Sequence, residues 1–187
     1  MTTEDFFNLI RDAIAPDFRK VAESGYIEHQ EIHHDGRTSG FRLNPSAPHV
    51  AFSMDVRGKE PVAILNKGKF RCRNDLIVIC LDESGSPLVF LFEHKNSEDI
   101  GDAQFQLDSG QAFCVYLFHL LKLQDQRLPD PRYFGIAVYR PKSISIGTTK
   151  PKEVSFKPTG KHQLLRAGWH MDVTLPLTAL ISAAEKA

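Results

Sequence analysis

The hydrophobic and polar positions of the chain alternate between helical and extended spacing. Apolar residues at helical spacing predict a first helix near residues 4–14, and Pro16 ends it. Residues 26–56 have a strand-like pattern that is interrupted by Pro45 and Pro48. The first third of the chain therefore predicts one helix followed by several short strands.

Two continuous apolar runs form the clearest pattern in the chain. Residues 76–81 and 88–92 contain no alternation, and residues 82–87 between them have the composition of a turn. Short apolar runs without alternation are typical of strands that are buried on both faces. The two runs therefore predict an antiparallel hairpin at the centre of a sheet.

The second half of the chain predicts a long helix and a further strand. The helix is expected near residues 102–123, and the strand at 133–139. A stripe of apolar residues at helical spacing is the expected sheet-facing side of the helix; it comprises Phe105, Ala112, Phe113, Tyr116 and Leu120. Residues 141–163 predict a long basic loop or ribbon, and a last strand at 169–175 and a helix at 178–184 follow. This order predicts an α/β or α+β fold, with helices packed on a sheet.

Length and composition favour a single globular domain spanning residues 1–187. The longest apolar runs are about six residues, far below the roughly 20 that a membrane helix needs. The first residues lack the basic start of a signal peptide. Three cysteines without C-x-x-C spacing disfavour a disulfide framework or a zinc knuckle. We therefore expect a cytoplasmic protein that does not contact a membrane.

The charges cancel overall, with 23 basic and 23 acidic residues, but they are segregated along the chain. Two basic clusters stand out, and their candidate nucleic-acid-binding residues are Lys67, Lys69, Arg71, Arg73, Lys150, Lys152, Lys157 and Lys161. Such clusters can form a basic cleft on a neutral protein, or they can simply be two solvated faces. The sequence leaves both interpretations open.

Three ionisable residues are expected at one end of the hairpin. Glu93 and Lys95 are two residues apart on a strand, so they share a face. A turn centred at Ser84 places Asp75 opposite Glu93, whereas a turn half a step later places it opposite His94. Two adjacent carboxylates repel each other unless a cation joins them, and oxygen ligands suit Mg²⁺ or Mn²⁺. The pattern therefore predicts a metal-binding carboxylate pair with a lysine beside it.

This arrangement resembles the core motif of the PD-(D/E)xK nuclease superfamily, over residues 70–123. The resemblance implies a central mixed sheet flanked by helices, as in restriction endonucleases and RecB-like nucleases. It also implies that Asp75 and Glu93 hold Mg²⁺ or Mn²⁺ and that Lys95 is catalytic. Asn74 stands where the proline of the motif is expected. Gln111 is a candidate accessory residue, and the family's first-helix glutamate has three candidates, Glu4, Glu23 and Glu28.

The expected function is hydrolysis of phosphodiester bonds in nucleic acid, with DNA preferred, in phage defence, restriction or repair. A homo-oligomer or a partner protein is expected to supply target choice. The alternative is a non-catalytic subunit on the same fold that binds a protein partner. A zinc site at His29 and His33 is disfavoured, because residues four apart on a strand are too distant to share an ion. We expect a surface or hairpin role for these histidines.

Overall fold

The computed structural model describes most of the chain, namely residues 1–32, 36, 38–60, 73–95, 101, 103–139, 154–159, 162–168 and 174–187. The helices are α1 (Thr3–Ala13), α2 (Ala103–Gln124) and α3 (Leu177–Glu185), and a 3₁₀ turn covers Pro16–Phe18. The strands are β1 (Arg19–Lys20), β2 (Ile27–Ile32), β3 (Thr38–Asn44), β4 (His49–Phe52), β5 (Leu76–Leu81), β6 (Pro87–Lys95), β7 (Arg132–Tyr139), β8 (Lys157–Thr159), β9 (His162–Gly168) and β10 (Thr174–Pro176).

The strands form two sheets. The larger sheet has seven strands in the order β1-β4-β5-β6-β7-β9-β8, and the smaller has three in the order β10-β3-β2. In the larger sheet β6 pairs with β7, and β7 with β9, in parallel, whereas its other pairs are antiparallel. The chain therefore has the mixed sheet with flanking helices that the sequence predicts for an α/β (α+β) fold.

The predicted hairpin is the centre of the large sheet. Leu76 pairs with Phe92, and the register runs to Leu81 opposite Pro87. This is the register of a turn centred at Ser84, so the alternative pairing of Asp75 with His94 is wrong. All residues of β6 from Pro87 to His94 are buried. The hairpin therefore brings the residues just before β5 and at the end of β6 to one end of the sheet interior.

Each face of the large sheet is covered by a separate hydrophobic core. Helices α1 and α2 cover one face, where Phe6, Ile10 and Leu107 pack with odd-numbered residues of β5 and β6 such as Ile77 and Leu91. The small sheet and α3 cover the other face, with a core that includes Phe41, Leu43, Phe90, Phe92, Leu177 and Leu180. Burial of each large apolar side chain contributes about 1.5–3 kcal/mol to the stability of these cores. Because the two cores cover opposite faces of the sheet, the end of β6 lies between a helical layer and a layer that is mostly sheet.

The sheet-facing side of α2 differs from the predicted one. The buried residues are Ala103, Leu107, Gly110, Cys114, Leu117, Phe118 and Leu121. Most of the predicted stripe points away, since Phe105 is 70% exposed and Tyr116 61% exposed, and only Phe113 of that stripe packs against the core in the described structure. Gly110 explains why this side of the helix faces the sheet, because it has no side chain at the point of closest contact. A Cβ on Gly110 would lie 3.1 Å from the Asn74 Cβ and 3.3 Å from a Leu91 methyl. The helix thus comes closest to the sheet at Gly110, while large residues such as Leu107 and Phe118 are buried on the same side.

The end of the chain matches the predicted elements in part. Within the predicted loop, β8 and β9 form an antiparallel ribbon, and β9 then pairs in parallel with β7. Residues 141–153 of that loop lie outside the described residues, as do 169–173 of the predicted last strand. The described part of that strand is β10, and α3 closely matches the predicted last helix. Among the described residues, no helix is both long and apolar enough to cross a membrane.

We expect Gly40→Ala to destabilise the protein by about 2–3 kcal/mol. Gly40 lies in β3 opposite Gln30, and a Cβ at this position would lie 2.0 Å from the backbone oxygen of His29. Because that atom belongs to the paired strand, β2 must move away from β3. Thermal unfolding measures the effect, as a fall in Tm of about 5–10 °C.

Gly85→Ala is the matched control for Gly40→Ala. Gly85 also has a positive φ, of 80°, but a Cβ there would meet nothing within 4 Å. It should cost only the backbone strain, about 1 kcal/mol. Equal losses in the two variants would show that the contact between Gly40 and β2 has no energetic role.

Candidate active site

Asp75 and Glu93 are buried side by side at the end of the hairpin. Asp75 immediately precedes β5 and is 4% exposed, and Glu93 lies in β6 and is 1% exposed. The Asp75 carboxylate accepts a 2.7 Å hydrogen bond from the backbone N–H of His94. The Glu93 carboxylate accepts a 3.0 Å hydrogen bond from Lys95 Nζ. The structure thus brings together the two acids that the sequence pairs.

Burial opposes ionisation of both carboxyl groups. It is the largest cause of a raised pKa at Asp75 and at Glu93, and the nearby Asp75 carboxylate raises the pKa of Glu93 further. The Glu93 Oε2 atom is buried and has no hydrogen-bond partner in the described part of the structure. Such a pair is stable only with a bound proton or a cation. Its oxygen-rich donor set therefore fits a hard divalent cation such as Mg²⁺ or Mn²⁺.

Lys95 is the cation nearest to Glu93 in the described structure. Its Nζ donates a 3.0 Å hydrogen bond to Glu93 Oε1 and a second bond to Gln106 Oε1 on α2. The Lys95 side chain is 21% exposed, whereas that of Glu93 is 1% exposed. The lysine is therefore the member of the trio that is accessible to a ligand from solvent.

Gln106 is a site residue that the sequence does not single out. It accepts from Lys95, and its Nε2 donates a 3.3 Å hydrogen bond to the backbone oxygen of Arg73. Gln106 thus links the lysine to the segment that leads into Asp75. The sequence feature that could have identified Gln106 is its place in the first turn of α2, the helix that follows the motif.

Gln111, the candidate accessory residue, lies further along α2 and is partly buried. Its Oε1 is buried without a hydrogen-bond partner among the described residues, and so are both polar atoms of the fully buried Asn74 side chain. It is Gln106, and not Gln111, that contacts Lys95.

On the other face of β6, two residues of β2 lie beside Asp75 and His94. His29 Nε2 is 3.7 Å from Asp75 Oδ2, and Glu31 Oε2 is 3.4 Å from His94 Nδ1. Burial lowers the pKa of His29 to about 4, so this imidazole is neutral at neutral pH. His29 is therefore not a surface residue, but it does lie in a hairpin, since β2 pairs antiparallel with β3. His33 lies outside the described residues. The missed signal is the spacing of two, which puts His29 and Glu31 on one strand face.

None of the three candidate N-terminal glutamates reaches the acids. Glu4, Glu23 and Glu28 are all exposed, and Glu28 pairs with Arg42 at 3.3 Å. The alternation of β2 explains the outcome, because Ile27, His29 and Glu31 occupy its inner face and Glu28 its outer face. Glu31 is the N-terminal acid that lies near the site.

In the basic cluster before Asp75, the residue that the structure describes is already paired with acids of the same chain. Arg73 contacts Asp55 at 3.2 Å and Glu60 at 2.7 Å, so it is engaged with acids of the same chain. Lys157 is exposed on β8. The other candidate nucleic-acid contacts lie outside the described residues, namely Lys67, Lys69, Arg71, Lys150, Lys152 and Lys161.

Two of the cysteines are ordinary core residues. Cys80 and Cys114 are free thiols and fully buried, and burial raises the pKa of both. A thiol with a raised pKa is a poor nucleophile. This agrees with the expectation that neither is catalytic, and Cys72 lies outside the described residues.

Comparison with known proteins identified no relatives. No family model, no curated protein and no solved structure matches this chain. The functional interpretation therefore rests on the geometry of the site.

Proposed function

We propose that the protein is a metal-dependent nuclease that hydrolyses phosphodiester bonds, with DNA as its expected substrate. The observation that carries the proposal is the buried carboxylate pair with Lys95 Nζ 3.0 Å from Glu93. The resemblance of this trio and its hairpin to the PD-(D/E)xK core supports the same interpretation. Burying two adjacent acids destabilises the fold, and buried ionisable groups of this kind are concentrated at functional sites.

The chain's own residues have distinct roles in this proposal. Asp75 and Glu93 would hold Mg²⁺ or Mn²⁺, which when bound supplies an activated water and neutralises charge on the phosphate. The backbone N–H of His94 orients the Asp75 carboxylate, and Lys95 Nζ orients that of Glu93. Lys95 stabilises negative charge that develops on the phosphate. Gln106 holds the lysine beside Glu93.

A second candidate function, binding of a protein partner, is favoured by the outer side of α2. Large apolar side chains are exposed there, namely Phe105, Val115, Tyr116, Leu120 and Leu123. Tyr116 and Leu120 also line an apolar cavity of about 230 Å³ between α2 and the end of α1. Exposed apolar surface of this kind marks interaction sites. It suits a homo-oligomer or a partner protein that supplies target choice to the nuclease, or a non-catalytic subunit.

The test is cleavage of plasmid, linear duplex DNA, single-stranded DNA and RNA, each with Mg²⁺, Mn²⁺ or EDTA. We expect cleavage only with a divalent cation, and none by Asp75→Asn, because this change removes a carboxylate that holds the ion. The preferred substrate follows from the same panel.

Asp82→Asn is the matched control, since Asp82 lies in the turn at the opposite end of the hairpin. It should cleave like the wild type. Absence of cleavage on every substrate, with no rise in Tm on adding either ion, would reject the nuclease proposal for this chain. A rise in Tm without cleavage would favour a subunit that acts only with its partner.

A further inference from the structure

Three potential metal ligands from two different sheets converge beside the acid pair. His29 and Glu31 come from β2 in the small sheet, and His94 comes from β6 in the large sheet. Each offers one ligand atom, and these atoms lie within 4.8 Å of one another. The two imidazole rings have their centroids 6.1 Å apart. The cluster therefore spans the layer between the two sheets.

Each of the two imidazoles presents a nitrogen that makes no hydrogen bond within the described structure. His29 Nε2 and His94 Nδ1 are both buried without a hydrogen-bond partner among the described residues. His94 is only 4% exposed, so water does not readily satisfy its nitrogen. Buried polar atoms normally have partners, and two such nitrogens in one cluster call for an explanation. A bound ion would satisfy both at once.

The spacing of the ligand atoms suits a tetrahedral ion. Two ligands at the usual zinc distances of about 2.0–2.1 Å lie about 3.4 Å from each other. His94 Nδ1 and Glu31 Oε2 are already 3.4 Å apart. The remaining separations, at most 4.8 Å, close with side-chain shifts of about 1 Å. Two histidines and one glutamate are also a known zinc ligand set, which leaves a fourth position for water.

The cluster is distinct from the carboxylate pair. Successive side chains of a strand project to opposite faces, so Glu93 faces α2 whereas His94 faces the small sheet. The donor chemistry differs as well, because imidazole suits Zn²⁺ and similar ions, whereas carboxylate oxygens suit Mg²⁺. Asp75 borders both groups, with its Oδ2 3.7 Å from His29 Nε2.

We propose that His29, Glu31 and His94 bind a first-row transition-metal ion of the zinc type. The site joins β2 to β6 and so fastens the small sheet to the large one. This inference goes beyond the nuclease function and does not depend on it, since it concerns other residues and another class of ion.

The test is titration of the EDTA-treated, dialysed protein with ZnCl₂, followed by calorimetry and by the imidazole nitrogen chemical shifts. We expect one Zn²⁺ per chain at this cluster, shifts at His29 and His94, and no displacement by excess Mg²⁺. His94→Asn should weaken zinc binding by about 100-fold or more. Replacing a residue that only hydrogen-bonds to a metal ligand already lowers metal affinity by about 10- to 100-fold, and His94 is itself a ligand. Glu93→Gln and the exposed-histidine control His119→Asn should leave it unchanged.

Several results would overturn the site. These are no zinc binding by the wild type, unchanged affinity in a folded His94→Asn, or loss of binding in Glu93→Gln alone. If His94→Asn does not fold, the wild-type nitrogen shifts decide, because they report the ligands without any substitution. Zinc binding that leaves the His29 and His94 shifts unchanged would place the ion elsewhere.

Discussion

Glu93→Gln is expected to stabilise the metal-free protein above neutral pH while abolishing its response to Mg²⁺. Burial first, and then the charge of Asp75, raises the pKa of Glu93 from 4.5 to about 9. Burial likewise raises the pKa of Asp75 from 3.8 to about 7. A raised carboxyl pKa contributes stability that is complete below the unfolded pKa and is lost as pH rises through the folded pKa. The wild type in EDTA should therefore lose stability from about pH 5 to pH 9.

Glutamine has the shape of glutamate without its charge, and its Oε1 can still accept from Lys95. The gain in the free energy of unfolding at about pH 8 should be on the order of 3 kcal/mol, and it should vanish near pH 4, where both acids are protonated. Urea unfolding in EDTA at the two pH values measures it. The exposed Glu23→Gln is the matched control and should change little at either pH.

Mg²⁺ provides the second half of this experiment. It should raise the stability of the wild type at about pH 8 by binding only the folded state, but it should not affect Glu93→Gln. If the substitution destabilised the protein equally at both pH values, the carboxylate would be a structural partner of Lys95 rather than a strained metal ligand.

The hairpin was predictable, and its register was predictable to within one residue, because both depend on local chemistry. Two apolar runs and a turn limit the pairing to two registers, one with Asp75 opposite Glu93 and one with Asp75 opposite His94, and the structure has the first. The face of α2 was not predictable in the same way. This helix has apolar residues on two opposite sides, and the side that packs is chosen by Gly110 against Asn74 and Leu91, a contact between distant segments.

The same limit applies to the charges and to the histidines. Arg73 lies in a basic stretch of sequence, but the fold brings Asp55 and Glu60 to it. His29 and His94 are separated by more than 60 residues, so only the packing of one sheet on the other can bring their rings together. Sequence spacing predicts neighbours within one hairpin, whereas contacts between layers require the fold.

Lys95→Met is expected to slow cleavage by about 10²–10³-fold while leaving metal binding intact. Methionine keeps much of the length of the lysine stem but removes the charge that faces Glu93 Oε1 at 3.0 Å. Removal of a single electrostatic stabiliser typically lowers kcat by about 10²–10³-fold. Without a neighbouring cation, the carboxylate pair attracts Mg²⁺ at least as strongly, so the rise in Tm with Mg²⁺ should persist.

Lys122→Met is the matched control for this substitution. Lys122 lies on the same helix as Gln106, about 24 Å away along its axis, and it pairs with exposed Asp130. It should retain both cleavage and the response to Mg²⁺. Cleavage rates measured at saturating substrate, with Tm measured in parallel, separate the two functions of the site. Unchanged kcat in Lys95→Met would remove the lysine from the chemistry, and loss of both cleavage and the Mg²⁺ response would make it a structural partner of Glu93. Loss of kcat alone assigns the metal to the acids and the charge stabilisation to Lys95.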